Sequence, residues 1–159
     1  MSWTWSKLDE EPGGSGVVSQ VHEFGCGAAC AAMLLADRGI LVDQLVVSSR
    51  LHLPCTAQEL AQRLNELSAR AHQWLGGQLD LDPPLTHRLL TELGRHGSWA
   101  AQFIPQGRQD GHWVVINGMR DDMRVAVRDP IGSRYSMPID EVAMLLRFMV
   151  VVFETGANR

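Results

Sequence analysis

No stretch of this chain approaches the ~20 consecutive apolar residues of a membrane-spanning helix, so a membrane span is not expected. Basic clusters are missing too. The 14 Lys and Arg residues are outnumbered by 18 Asp and Glu and stand no closer than isolated pairs, which argues against nucleic acid or an anionic membrane as the main partner. Cysteine is scarce. Three thiols are an odd number and form no disulfide framework, a pattern that suits a reducing compartment. The first residues, Met1-Ser-Trp-Thr-Trp-Ser-Lys-Leu-Asp-Glu-Glu, lack the basic-then-apolar design of a cleavable signal. The expectation is cytoplasmic synthesis, with any export using a route other than Sec.

What remains fits one domain of ordinary composition with a sizeable core, in a chain of 159 residues. The segment Glu-Glu-Pro-Gly-Gly-Ser-Gly at residues 10–16 reads as a flexible joint. It divides an arm, residues 1–16, from a domain, residues 17–159. Trp3 and Trp5 on that arm are either disordered with it or docked on the domain.

Along the domain, a small-residue and apolar run predicts a helix over residues 27–36, ending at Gly39, and a short second helix over 43–50. Thr56-Ala-Gln-Glu59 is a capping-box signature before Leu60, Leu64 and Leu67, which mark a third helix. A short strand is expected over 69–75 and a helix over 84–95, opened by a Pro-Pro pair. Strands bounded by Gly, Pro or Asp then follow at 98–104, 112–118, 123–129, 134–136 and 148–154, with a helix over 138–146 before the last. The predicted class is α+β, a helical first half packed on an antiparallel sheet from the second half.

Cys26 precedes the first helix, so its thiol would sit where partial positive charge and unpaired N–H groups favour thiolate. Gly27 beside it would leave room for a substrate backbone. Gln20 lies six residues earlier, near enough for its side-chain amide to face the carbonyl oxygen under attack. His112 opens the β-branched stretch His-Trp-Val-Val-Ile, and Asp129 ends the next strand. If those strands are neighbours, Asp129 can hold one imidazole nitrogen while the other faces Cys26. Trp113 is expected to shield the His112–Asp129 contact from water.

The order Gln20, Cys26-Gly, His112 before a Val-Val strand, and Asp129-Pro-x-Gly resembles the papain-like cysteine peptidases. The likeness runs from Gln20 to about Phe153 and is greatest to the bacteriocin-processing, double-glycine leader peptidases and their stand-alone relatives. Secreted papain-like effector proteases are also similar, but carry Trp where this chain has Gly27. Leader peptidases commonly carry an acid where it has Gly25. The resemblance implies a papain-like fold with Cys26 as nucleophile, His112 as base and acid, Asp129 as orienter, and Gln20 with the Cys26 N–H as oxyanion donors. It implies no metal or organic cofactor. The substrate would be a protein or peptide.

Within that chemistry a toxin or effector, held in check by an immunity or inhibitor protein, competes with a maturation protease that removes a leader from a secreted peptide. Acyl transfer of the transglutaminase kind and a non-catalytic binding domain are the remaining readings. Cys30 and Cys55 read as buried small hydrophobes. A zinc site from Cys26, Cys30 and two histidines has loose spacing and no matched second pair. The other histidines read as surface residues, with His22 set apart as a candidate for the cleft. Asp121 and Asp122 read as a turn.

Overall fold

Ala and Gly on every side, with Met33, Leu34 and Leu35 among them, give the first helix no polar face, so it is stable only when surrounded. In the computed structural model, which describes residues 3–69, 71–79 and 87–157, this is helix α1, Cys26–Ala36. Every residue from Gly27 to Leu35 is buried. Burial of each large apolar side chain contributes roughly 1.5–3 kcal/mol.

The described residues form seven strands and five helices in the order β1 (Leu8–Pro12), α1, α2 (Gln44–Ser48), α3 (Ala57–Leu67), β2 (His72–Gln78), α4 (His87–Leu93), β3 (Trp99–Phe103), β4 (His112–Met119), β5 (Arg124–Asp129), β6 (Ser133–Pro138), α5 (Ile139–Leu145) and β7 (Val150–Ala157). All strands join one antiparallel sheet, ordered β1-β6-β5-β4-β3-β7-β2. The expected α+β class holds, and the capping box of Thr56 and Glu59 is fully formed at the start of α3.

Two apolar cores flank the sheet. Helices α1 and α3 pack on one face with Trp74, Trp113, Val115 and Val152. The other core gathers Trp5, Phe103, Val127, Tyr135 and Met137 with residues of α4 and α5.

One expectation about the first half changes, and of the two readings of the N-terminal tryptophans the docked one holds. The segment read as a flexible arm contains β1, which pairs with β6 through Leu8↔Ser136 and Glu11↔Arg134. Trp5 is buried. Long-range strand pairing outweighs the local Gly-Pro signal here, and the sheet draws both edge strands, β1 and β2, from the first half of the chain. The expected helix over 84–95 is described only from His87, and residues 84–86 lie outside the described residues.

Candidate active site

The loop leading into α1 is fixed at both ends. The Gln20 N–H donates to the Pro130 carbonyl at 2.7 Å, and the Gly25 N–H to the His22 carbonyl at 3.0 Å. Gln44 of α2 holds the loop from outside, donating to the Ser19 carbonyl at 2.7 Å. A Cβ on Gly25 would lie only 3.3 Å from the His22 oxygen, which accounts for the smallest residue at this N-cap. Cys26 is the first residue of α1, where N–H groups have no carbonyl of their own helix to bond.

His112 approaches from the sheet. β4 and β5 are neighbours, with Val115 opposite Arg128. His112 Nε2 meets Asp129 Oδ1 at 2.7 Å, both side chains being buried. Cys26 stands near enough to the His112 ring to influence its titration. Burial pulls the imidazole pKa down, but the Asp129 and Cys26 hydrogen bonds and charges outweigh it and push it from 6.5 up to about 9. Burial alone would raise the Asp129 pKa; His112, Tyr135 and the Ile131 N–H instead hold it below the ordinary carboxylate value.

Asp129 is saturated with donors. The Ile131 N–H shares Oδ1 at 3.0 Å, and the Tyr135 hydroxyl donates to Oδ2 at 2.6 Å. The Trp5 indole N–H then donates to the Tyr135 oxygen at 2.8 Å. Trp3 lies against the other side of this assembly, stacked on His112 with ring centroids 5.2 Å apart. Sequence reasoning assigned no role to Tyr135; its available signal was that it is the single tyrosine of the chain.

Arg128, one residue before Asp129, ties this strand back to α1. Its guanidinium bonds both oxygens of Asp37 at the C-cap of α1, the Gly16 carbonyl at 3.0 Å and Asn117 Oδ1 at 2.9 Å. Helix and strand, the carriers of Cys26 and Asp129, are therefore joined by a charged clamp in which Arg128 is buried and Asp37 partly exposed.

Gln20 lines the same cleft as Cys26. Its Nε2 donates to the His22 and Glu23 carbonyls at 2.8 and 3.1 Å, and its Oε1 is buried without a partner. In this arrangement the amide protons brace the loop. The cleft measures about 750 Å³, with Phe24 and Cys26 on one side and Gly77, Gln102, Asp110 and Ile131 among its other lining residues. His22 does not line the cleft.

Three local expectations are corrected. Trp113 does not cover the His112–Asp129 pair, because consecutive residues of a strand face opposite ways. It belongs to the α1 core, and Trp3 and Trp5 flank His112 instead. Nor does Gly27 make room for substrate. A Cβ there would sit 2.5 Å from Cys55 Sγ and 3.3 Å from Trp113 Cδ1, so protein fills the space. Cys55 therefore stands beside the Cys26 turn and lines the cleft. Burial and the neighbouring Cys26 push its pKa up to about 12. Cys30 is fully buried, and burial raises its pKa well above the ordinary thiol value. Both thiols stay protonated near neutral pH, which leaves them poor nucleophiles. His72 is bound to the buried Glu154 at 2.8 Å rather than sitting free on the surface. Among the described residues, no group of His, Cys, Asp and Glu side chains is assembled as a metal site, and no helix is long and apolar enough to cross a membrane.

Among solved structures, a double-glycine-motif protease from an AMS/PCAT transporter, crystallised with its leader peptide, superposes with a TM-score of 0.69 at 15% identity, covering 97% of this chain and 100% of that one. The fold is papain-like. The peptidase domain of Streptococcus ComA, a bi-functional ABC transporter, shares this papain-like fold with a TM-score of 0.64 at 15% identity, covering 90% of this chain and 98% of that domain. In sequence, the papain-like chain is 36% identical over 138 residues to Cysteine protease effector 1 of Escherichia coli O1:K1:H7. That match covers 86% of this chain and spans about a quarter, 26%, of the relative. No known family profile matches the chain.

Proposed function

We propose that this domain is a cysteine endopeptidase. The observation that carries the reading is the buried His112–Asp129 pair, with Cys26 near enough to influence the imidazole, at a cleft large enough for an extended peptide. His112, cationic at neutral pH, already holds a proton on the nitrogen not held by Asp129, and Cys26 Sγ attacks the peptide carbonyl beside it. The oxyanion then meets the Cys26 N–H and the Gln20 amide, which turns one proton from a loop carbonyl to the new charge. His112 next protonates the leaving amine. Water, activated by the same imidazole, releases the acyl group. A His112 pKa of about 9 keeps the required acid available at neutral pH.

The biological reading we favour is an effector or toxin that cuts a protein of a rival or host cell, leaves its producer by a route other than Sec, and is silenced there by an immunity protein. It rests on the likeness to Cysteine protease effector 1, at more than twice the identity of the structural neighbours. A second reading, leader removal from a secreted peptide, is supported by the fold shared with a double-glycine-motif protease bound to its leader.

Expression of the wild-type and Cys26→Ala chains, followed by proteome-wide profiling of new N-termini, tests both. Cleavage sites that depend on Cys26 and fall within folded cellular proteins support the effector. Sites confined to peptide leaders support maturation, and no Cys26-dependent site at all overturns the peptidase.

A further inference from the structure

The N-terminal segment delivers an aromatic ring to the catalytic base, a contact that a peptidase mechanism by itself does not require. Trp3 lies nearly flat on His112, with centroids 5.2 Å apart and 23° between planes, and it also lines the cleft that contains Cys26. Trp5 stacks behind Trp3 at 5.6 Å and meets Phe103 edge-on at 5.3 Å. On the loop before β4, the Arg108 guanidinium lies 4.4 Å from the Trp3 ring centroid. The indole is thus held by an imidazole, a second indole and a guanidinium.

We propose that Trp3 is a positioning residue for His112, acting through its aromatic face to keep the imidazole aligned between Asp129 and Cys26. The proposal rests on the peptidase reading above. Its physical basis is that a ring face attracts a cation laid against it, most strongly where water is excluded. His112 is cationic over most of the working range, since its pKa is raised to about 9. The charged and titratable groups around it are Asp129 from β5, Cys26 from α1, Tyr135 from β6 acting through Asp129, and Arg108 beyond Trp3. Arg108 itself pairs with Asp110 at 2.8 Å, which moderates its repulsion of the imidazolium.

The test compares Trp3→Phe, which keeps an aromatic face, with Trp3→Leu, which covers the ring without one. Two quantities are read in the full chain: kcat and KM on a peptide bearing a Cys26-dependent site, and the pH titration of His112 followed by NMR. Trp3→Leu should lower kcat by about three- to ten-fold and move the His112 midpoint down by roughly half to one pH unit, the shift that losing ~1 kcal/mol of cation binding produces. Trp3→Phe should restore most of both. A Leu variant with wild-type titration overturns the proposal, including when its activity falls, because a packing defect alone would do that. Failure of the peptidase reading is separate: it appears as absence of Cys26-dependent cleavage in the wild type, while the titration still reports on the stacking.

Discussion

Tyr135 donates its hydroxyl proton to Oδ2 of Asp129 at 2.6 Å, so the carboxylate that faces His112 is held from behind by a buried phenol. Burial and the Asp129 charge raise the phenol pKa well beyond its ordinary value, which keeps it a donor at every working pH.

Tyr135→Phe should therefore loosen the base while preserving the packing. A lost hydrogen bond to a buried charge costs about 1.5–3 kcal/mol. Thermal unfolding should show a lower Tm, and kcat should fall by about ten-fold as Asp129 gains freedom to rotate. Unchanged kcat with a lowered Tm would confine Tyr135 to a structural role.

Stability should depend on pH through His112. Its folded pKa is raised from 6.5 to about 9, so the stabilisation is complete below about 6.5 and is lost as pH rises through 9. Asp129 acts in the opposite direction, its lowered pKa contributing stability that disappears as pH falls through the folded value. Thermal melts should show Tm declining between pH 6.5 and 9 in the wild type and a flatter profile in His112→Gln. Equal slopes in the two chains would contradict this assignment.

Gly27→Ala places a methyl group 2.5 Å from Cys55 Sγ and should destabilise the chain, by about 1–3 kcal/mol for a small-to-large change in a packed core. Adding Cys55→Ala removes the colliding sulfur. The double variant should recover part of the loss, read as a non-additive double-mutant cycle in denaturant melts. Strict additivity would mean that the two residues do not collide.

Gln20→Ala should lower kcat by about 10²–10³ if its amide serves the oxyanion. Because Nε2 also braces the His22 and Glu23 carbonyls, a modest fall in Tm should accompany it. Steady-state kinetics beside thermal melts separate the two effects. A lowered Tm with intact kcat would leave Gln20 as a loop brace.

Local chemistry was readable in the sequence wherever a short span determines it. The Thr56–Glu59 box lies within one turn, and strands such as β4 announce themselves by β-branched residues. Cys26, His112 and Asp129 could be singled out together because each sits at an element terminus marked by Gly or Pro. Trp5 and Tyr135 meet across 130 residues of separation, and no local pattern signals such a contact. Gly27 shows the same limit. A small residue beside a thiol suggests space for a ligand, and only the path of the chain to Cys55 reveals that the space is filled. The edge strand β1 was hidden by a Pro and three Gly in residues 10–16, a composition that suits a joint equally well.

The pairing of β1 with β6 joins Leu8 to Ser136 and Glu11 to Arg134. These contacts join residues more than 120 positions apart, and closing so long a loop has an entropic cost. On a ribosome, a chain that has emerged only as far as residue 130 already presents Cys26 and α1, yet it has no Tyr135 to brace Asp129 and no β6 to dock the N-terminal tryptophans. Until β6 has joined the sheet, Asp129 stands without its phenol donor and Trp5 without the hydroxyl that accepts its indole proton.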